Sequence, residues 1–382
     1  MSEYLFIEPI DVLYLRGNRL FGDPGAHGEA LMPPWPSLPA GAIRSRMLAD
    51  SEIDLSAFAR SQVVPEGRLG VCIGTPDEPG TFCIKCFSLG FKKQDGTVEP
   101  YMPLPNDLFA EKKNINYLQP SQLHPDLALS CELPQVPVLC RDKPDKPQTG
   151  LWLNYGGIAA YLAGDPLTFD HTCSQIDLWK NDPRLGIALN SATRTAAEGR
   201  IYTTETVALT KGAGFLVSVD GVEDCLPEGG LLRFGGDGRG VEVSLCQVSY
   251  PEPPWERIVA EKKFRLVLTT PGIFDHGWCL PGLSQENDTF ILSTAKFTAR
   301  FVSAAVNRFE VVSGWDLARN RPKTAQRVVP VGSVYWFDQF DGDIDGLKSL
   351  VDKGLWSLID QPDPVRLAEG YNNVFVAAWP LA

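Results

Sequence analysis

The sequence has no long apolar run and no basic leader. No stretch of apolar residues reaches the roughly 18 that suggest a membrane-spanning helix. The first residues, MSEYLFIEPIDVLYLRG, carry acidic side chains early and lack the basic segment and pure apolar stretch of a signal peptide. We therefore expect a cytoplasmic protein that does not enter a membrane.

Histidine is scarce, which restricts the chemistry that the chain can support. The four histidines are His27, His124, His171 and His276, and none belongs to an HxxxH, HxE or comparable ligand pattern. The sequence also lacks a GxSxG elbow and the kinase motifs. His27, in a loop rich in glycine and proline, is the candidate general base for a metal-independent ribonuclease. We predict that the chain is not an enzyme and holds no metal or cofactor.

Cysteine shows no disulfide framework. The nine cysteines are an odd number and are dispersed, so we expect reduced thiols in a reducing compartment. Cys83 and Cys86 form a lone CxxC pair in a strand-like run, and no second pair stands at zinc-knuckle spacing. We interpret them as core cysteines, with a zinc site as the alternative.

Positive charge is in deficit. The chain has 35 Lys and Arg against 47 Asp and Glu, a formal net charge of -12. This balance counts against RNA binding, because neutralisation of phosphates by Lys and Arg normally supplies most of the affinity. Net charge does not fix the distribution, however, and a basic groove can lie on an otherwise acidic surface. The positions of the basic residues along the chain therefore decide between these two possibilities.

The length of 382 residues, with 44% hydrophobic and 21% charged residues, is typical of about two or three globular domains. The segments that predict strands are YLFIEPIDVLYLRG, LGVCIG and TFCIKCFSLGF as a hairpin, LGIALN, RIYTTETVALT, GFLVSVDGV, VEVSLCQVSY, KKFRLVLTTPGIF, GSVYWFDQF and VFVAAW. Helices are predicted at AIRSRMLAD, NYGGIAAYLAG and DIDGLKSLVDKGLWSLID, and AKFTARFVSAAV fits either structure. Strands and a few helices without regular βα alternation predict an α+β architecture with antiparallel sheets.

Two regions interrupt these patterns. Residues 22–42 contain too many glycines and prolines for a regular element and predict a loop. Residues 92–150 are rich in Pro, Lys, Asp and Gln and show little periodicity. We therefore predict a long Pro/Lys-rich insertion there.

The sharpest local feature is the glycine cluster at residues 235–240, Gly-Gly-Asp-Gly-Arg-Gly. A dinucleotide or Walker-type loop opens a helix, whereas the residues that follow here alternate as a strand, which argues against a nucleotide-cofactor site. Between two strands, glycines let backbone amides approach an anion, and Arg239 adds a bidentate phosphate contact. A plain glycine-rich hairpin turn is the alternative.

Basic, amide and hydroxyl side chains elsewhere also suit a sugar-phosphate backbone. They are Arg44 and Arg46 after the breaker-rich loop, Asn190, Thr193, Arg194 and Arg200 between two strands, and Arg321 and Lys323 after Gly314-Trp315-Asp316. Each segment is also compatible with a solvated loop or a surface charge.

Taken in chain order, these segments resemble one family, subunit three of the Cmr complex, a RAMP-superfamily protein of type III-B CRISPR systems. The matching segments are Ile7–Arg16 with Gly41–Ser45, Arg184–Asn190 with Glu198–Thr203, the glycine cluster at 235–240, Thr269–Phe274 with Gly277-Trp278, and Gly314–Leu317 with Arg321–Lys323 and Val329–Tyr335. They lie in both halves of the chain, and none of them falls in the region 92–150. Five ordered signatures argue against a chance similarity.

The resemblance implies two ferredoxin-like, RRM-related domains with antiparallel sheets. We place them at residues 1–180, with the insertion, and 181–382, with the glycine cluster. It also implies a structural, RNA-binding role in antiviral defence, in which the chain holds the 5′ handle of the crRNA. The implied protein partners are the large polymerase-like Cmr subunit and the backbone RAMP subunit. Target sequence is then read by base pairing of the guide.

The predicted RNA-binding residues combine these candidates with Arg16 at the end of the first strand. They are Arg16, Arg44, Arg46, Asn190, Thr193, Arg194, Arg200, Gly235, Gly236, Gly238, Arg239, Arg321 and Lys323. Tyr202 or Trp315 can stack on a splayed base. Two alternatives stay open, a RAMP-type endoribonuclease that processes repeat RNA and a purely protein-binding assembly scaffold.

Overall fold

A computed structural model describes residues 3–17, 27–122, 133–140, 146–190, 192–222, 224–286, 289–316 and 321–381, without the side chains of residues 27 and 198–200. Within these residues the helices are α1 Ser37–Asp50, α2 Leu55–Ala59, α3 Gly67–Ile73, α4 Tyr155–Ala163, α5 Gln175–Leu178, α6 Trp255–Glu261, α7 Ile344–Lys353 and α8 Pro364–Ala368. Short 3-10 turns cover Phe169–His171 and Leu355–Leu358. No helix of the described ranges has the length and apolar character needed to cross a membrane.

The strands of the described residues are β1 Glu3–Pro9, β2 His27–Gly28, β3 Cys83–Lys92, β4 Val98–Pro103, β5 Leu108–Glu111, β6 Asn114–Tyr117, β7 Gln119–Ser121, β8 Val136–Val138, β9 Leu151–Leu153, β10 Thr172–Ser174, β11 Trp179–Leu189, β12 Ala196–Leu209, β13 Ala213–Asp220, β14 Gly229–Arg233, β15 Gly240–Cys246, β16 Phe264–Leu268, β17 Leu283–Glu286, β18 Thr289–Ser293, β19 Phe297–Ala305, β20 Glu310–Val312, β21 Trp315–Asp316, β22 Arg321–Pro322, β23 Gln326–Val328, β24 Val334–Gly342 and β25 Val374–Ala377. Both large sheets are antiparallel, which confirms the α+β prediction.

The first large sheet has eight strands in the order β10-β9-β4-β3-β13-β1-β15-β14. Strand β1 lies between β13 and β15, and its apolar run Leu5–Ile7 is fully buried, as expected for a central strand whose two faces are both covered. Helix α1 packs on this sheet through Ile43 and Met47, one helical turn apart. The first core therefore forms around the opening strand.

The second large sheet has six strands in the order β17-β18-β19-β24-β16-β25. Its core contains stacked Phe264 and Phe337, whose ring centroids are 4.9 Å apart, and helix α7 covers it with Leu347 and Leu350. A third apolar cluster joins the two sheets, because it includes Leu153 of β9 together with Trp336 of β24. The two sheets are thus parts of one packed molecule.

The sheet topology bears on the proposed division of the chain. Strands β13, β14 and β15, which lie beyond residue 181, pair within the first sheet. A boundary at residue 180 therefore cuts through that sheet. The second sheet begins at Phe264, so the strands favour a division between Cys246 and Phe264.

Other predicted elements differ in detail from the structure. The segment LGVCIG, predicted as a strand, lies mostly in helix α3, so that prediction is wrong. The region 92–150 contains β4, which pairs with β3 in the first sheet, so this part is not an insertion without regular structure. The ambiguous segment AKFTARFVSAAV forms strand β19. The predicted helix at 343–360 ends at Lys353, where Gly354 takes a φ of 68°.

Candidate RNA-binding surface

The glycine cluster forms the turn between β14 and β15 and lies on the segment that follows β1. The Phe234 N–H donates to the Arg239 carbonyl at 2.8 Å, and the Gly236 N–H donates to the Tyr14 carbonyl at 2.8 Å. Gly235 has a φ of 79°, and a Cβ there would lie 2.6 Å from the Tyr14 oxygen. A side chain at this position is therefore excluded by both backbone conformation and space.

The Arg239 side chain extends from the glycine loop and packs on the segment after β1 that contains Asp11 and Tyr14. Its guanidinium is 5.0 Å from the ring centroid of Tyr14, and its Nη1 is 3.2 Å from Asp11 Oδ2. The Asp11 side chain is 65% exposed, so the ion pair lies at the solvent boundary and is only weakly stabilising. A phosphate that replaces Asp11 keeps the charge-assisted hydrogen bond, and the Tyr14 ring orients the guanidinium.

Arg184 on β11 completes this group. Its hydrogen bond to Asp182, together with the nearby Tyr14 and Asp11, raises the pKa of Arg184. We name Asp11, Tyr14, Arg184, Arg239 and the loop 235–238 the glycine-loop patch. Arg184 was not predicted as a site residue, although it begins one of the segments that carry the family resemblance. Arg16 is exposed two residues beyond Tyr14, where its backbone forms a bridge with Ala30.

Strands β11 and β12 form a long hairpin that is fixed next to the patch. Leu13 and Val207 exchange both backbone hydrogen bonds at 2.8 Å, which attaches β12 to the segment after β1. Strand β2 pairs with β12 in parallel at Thr203 and Thr204. Arg184 lies five residues before Leu189, and at about 3.3 Å per residue the end of the strand is roughly 17 Å away. The hairpin therefore extends the surface well beyond the patch.

The tip of this hairpin carries three predicted residues. Asn190 Oδ1 accepts from the Ala192 N–H at 2.9 Å, and Thr193 Oγ1 lies 2.8 Å from Thr195 Oγ1. Arg194 has a φ of 56° and an exposed side chain. The amide and hydroxyl groups thus shape the turn, whereas Arg194 faces solvent. The side chain of Arg200 lies outside the described residues.

The hairpin also exposes apolar side chains. Leu185, Ile187 and Leu189 alternate along β11 and are 71%, 49% and 66% exposed, and Ile201, opposite Ile187, is 52% exposed. Tyr202 lies over Gly186, where a Cβ would meet its ring at 2.3 Å. The hairpin therefore combines an exposed apolar face with the arginines at its base and tip.

The arginines of α1 lie on different sides of the helix. Positions two residues apart are about 200° apart around an α-helix. Arg46 contacts Asp50 and donates to the Leu231 carbonyl at 2.5 Å, next to the glycine-loop hairpin. Arg44 Nη2 donates to the Ile73 carbonyl at 3.0 Å, and burial lowers the pKa of Arg44. The two side chains therefore contact different neighbours, helix α3 and strand β14.

Arg44 instead approaches a buried carboxylate from the other end of the chain. Lys323 Nζ donates to Glu369 Oε1 at 2.5 Å, Arg366 Nη1 donates to Glu369 Oε2 at 3.0 Å, and Glu369 also acts electrostatically on Arg44. We name Arg44, Lys323, Arg366 and Glu369 the Glu369 cluster. Lys323 and Arg366 contact Glu369 directly, whereas Arg44 is affected by its charge without a direct contact. Arg321 is exposed on β22, which pairs with β21.

A family model settles which family contains the chain. The model described as CRISPR-associated protein (Cas_Cmr3) matches residues 5–379. The chain belongs to this family. The match includes both large sheets, the glycine-loop patch and the Glu369 cluster, and it confirms the resemblance to type III-B Cmr subunit three.

Two solved Cmr structures contain chains that match this one. A chain of the cryo-EM structure of the Type III-B Cmr-beta bound to cognate target RNA is 14% identical, with a TM-score of 0.52 over 97% of this chain and 96% of that chain. A chain of the complex with target RNA and AMPPnP is 14% identical, with a TM-score of 0.48 over 87% and 86%. The similarity to the structure with a TM-score of 0.52 shows a shared fold. No curated protein matches the chain.

In the part of the chain that the structure describes, His171 and the Cys83/Cys86 pair make local structural contacts. His171 Nδ1 accepts from the Thr168 N–H at 3.2 Å in a helix cap. The His27 backbone lies in β2, and its side chain and His124 are outside the described residues. Burial raises the pKa of Cys86 to about 11, and Cys83 Sγ donates to the Leu367 carbonyl at 3.3 Å. Among the described residues, no three His, Cys, Asp or Glu side chains form a metal-binding group.

Proposed function

We propose that the chain holds the repeat-derived 5′ handle of the crRNA in a type III-B Cmr effector complex. It has a structural role, in the cytoplasm, and connects the large polymerase-like subunit to the backbone RAMP subunits. Membership of the Cas_Cmr3 family supports the assignment of the chain to a Cmr complex, and the shared fold agrees with this assignment. We further propose that the two large sheets correspond to two ferredoxin-like domains.

The observation that carries the RNA assignment is the position of Arg239. Its guanidinium is oriented by Tyr14, and its ion pair with the mostly exposed Asp11 is readily exchanged for a phosphate. The glycine turn lies next to it, with the Gly236 N–H already bonded to the Tyr14 carbonyl, and Arg184 lies on β11, which pairs with β12. We propose the remaining predicted residues as contacts along a longer RNA path. They are Arg16, Arg44, Arg46, Asn190, Thr193, Arg194, Arg200, Arg321 and Lys323.

Replacement of Arg194 and Arg239 by alanine is expected to weaken binding of the handle RNA by at least roughly 100-fold, since two charge-assisted contacts of about 1.5–3 kcal/mol each are lost. The slope of log affinity against log salt concentration is expected to fall by about 1.4, because a single-strand phosphate contact contributes about 0.7. Filter binding at several salt concentrations measures both quantities.

The matched control is the double variant Arg60→Ala and Arg68→Ala. Both control side chains are exposed on the α2–α3 region, and Arg68 pairs with Asp224 at 3.4 Å. The control removes the same charge without touching the patch. Equal binding by the two double variants would refute the assignment of RNA binding to Arg194 and Arg239.

The structural role predicts that the purified chain leaves repeat RNA intact. His27→Ala is expected to leave the RNA length profile unchanged, because no general base is needed to hold a handle. Denaturing gel analysis of end-labelled repeat RNA after prolonged incubation measures this. Cleavage by the wild-type chain that His27→Ala abolishes would establish the endoribonuclease instead.

A further inference from the structure

An open cleft lies beside the two-stranded ribbon that β20 and β23 form next to the second sheet. Its volume is about 820 Å³, within the range of about 300–1,000 Å³ that is typical of ligand sites. The buried part of its lining includes Val328 and Val329, and the exposed part includes Trp278, Phe309 and Arg327. The described residues of the glycine-loop patch and the Glu369 cluster do not line it.

Exposed aromatic side chains are concentrated at this cleft. In the part of the chain that the structure describes, the exposed Phe, Trp and Tyr side chains are Trp278, Phe309 and Trp315, with exposed fractions of 38%, 58% and 53%. Trp278 and Phe309 line the cleft, and Trp315 lies six residues beyond Phe309 on the same ribbon. Large apolar rings that are left in water at one place indicate a surface that stacks on a flat partner.

Arg327 is the cation of this cleft. Its guanidinium is 4.8 Å from the ring centroid of Phe309. Arg239, Arg265 and Arg366 each contact a carboxylate, whereas no ion pair among the described residues includes Arg327. The aromatic ring therefore orients this guanidinium while its charge stays available for a phosphate.

The ribbon is basic in a chain that is acidic overall. Residues 308–328 contain five Lys or Arg and two Asp or Glu, although the whole chain has a formal net charge of -12. The other charged residue of the described lining is Asp275, which is exposed. A carboxylate repels a bare anion but accepts hydrogen bonds from the amino group of a base. Aromatic walls with one cation and one anion therefore suit a nucleotide better than a free phosphate.

We infer that this cleft binds one unpaired base of an RNA strand, stacked on Phe309 and Trp278, with the phosphate of the same nucleotide bound by Arg327. The Phe309 side chain is 58% exposed although Arg327 covers part of its ring, so it retains open area for a base. Stacking on aromatic side chains together with a cation for the backbone is the general way in which proteins hold single-stranded RNA. This inference rests on the proposed RNA-binding role and adds a base-binding site to it.

The test is ultraviolet crosslinking within the assembled effector complex. Irradiation joins RNA bases to aromatic side chains that they touch, and mass spectrometry locates the nucleotide adduct. We expect an adduct at Trp278. An adduct that forms before target RNA is added identifies the crRNA as the bound strand, and an adduct that forms only after this addition identifies the target RNA.

Substitutions at the other two residues test the geometry. Phe309→Leu and Arg327→Gln are each expected to lower the yield of the Trp278 adduct at least fivefold, whereas Phe309→Tyr is expected to preserve it. Both positions are exposed, so the substitutions leave the apolar core intact. The matched controls are Tyr155→Leu and Arg60→Gln, which lie outside the cleft and should leave the yield unchanged.

Three results would overturn the base-binding site. Adducts on the glycine-loop patch or the hairpin tip without one at Trp278 would refute it and leave the proposed handle binding in place, whereas no adduct anywhere on the chain would contradict both. A Trp278 adduct whose yield is unchanged by both Phe309→Leu and Arg327→Gln would refute the stacking geometry. A benzophenone amino acid at the exposed Arg308 that joins to another protein and not to RNA would assign the cleft to a protein partner instead.

Discussion

Asp107→Ala is expected to lower the free energy of unfolding by about 3–5 kcal/mol, the usual cost of removing one partner from a buried ion pair. Asp107 and Arg265 are both fully buried and in direct contact. Arg265 also donates to the Ala378 carbonyl at 2.8 Å and to the Tyr161 carbonyl at 2.9 Å. These bonds hold the guanidinium in place, so without Asp107 its charge remains buried with no carboxylate.

The position of this pair explains why the effect should be global. Asp107 lies between β4 and β5, Tyr161 lies on α4, and Arg265 lies on β16 of the second sheet. Tyr161 Oη donates to Asp107 Oδ1 at 2.8 Å, and the guanidinium is 4.5 Å from the Tyr161 ring centroid. The pair therefore connects the segment between β4 and β5, and helix α4, to β16 of the second sheet.

Urea unfolding followed by tryptophan fluorescence measures this prediction. The double variant Asp107→Leu with Arg265→Met removes both charges and is expected to be closer to the wild type than either single change, because a well-packed apolar pair avoids the desolvation cost. Glu261→Gln, which breaks the partly exposed pair with Arg257, is the surface control with an expected loss below about 1 kcal/mol. A loss for Asp107→Ala no larger than this control would contradict the argument.

The strands were largely predictable from the sequence because their side chains alternate or form short apolar runs. GFLVSVDGV contains most of β13, which is buried on both faces, and VEVSLCQVSY contains residues 241–246 of β15, where buried and more exposed residues alternate. LGVCIG failed because a run of six residues with four apolar side chains fits either period. In the structure, Gly70 packs on the Pro65 carbonyl, and a Cβ there would lie 2.3 Å from that oxygen, which is a tertiary constraint that no local pattern contains.

The candidate site was predictable in composition but not in arrangement. The glycine cluster and Arg239 were identified from residue types, yet the contact between Arg239 and Tyr14 depends on β1 and β15 being neighbours in the sheet. Arg44 and Lys323 are 279 positions apart in number and meet only through Glu369. Glu369 itself stands in no recognisable motif, so its role could not be inferred without the fold.

Glu369→Gln is expected to lower the free energy of unfolding by about 3 kcal/mol, because Arg366, which is 3% exposed, then keeps a buried charge beside a neutral amide. Arg366 is held in place by Gln326 at 2.9 Å and by the Ser313 carbonyl at 3.1 Å, so it cannot easily turn to water. Glu369 is 6% exposed, which leaves little solvent to replace its charge.

The same substitution separates a structural from an RNA-binding role for Arg44 and Lys323. If these side chains contact phosphate, the loss of the competing carboxylate should strengthen handle binding and steepen its salt dependence, because Arg44 and Lys323 are then no longer neutralised by an internal anion. If they serve only to neutralise Glu369, unfolding becomes easier while binding stays unchanged. Urea unfolding and filter binding on the same variant, with Glu261→Gln as the charge-matched control, distinguish the two. Unchanged binding would remove Arg44 and Lys323 from the RNA path and leave Arg239 and the hairpin arginines as its contacts.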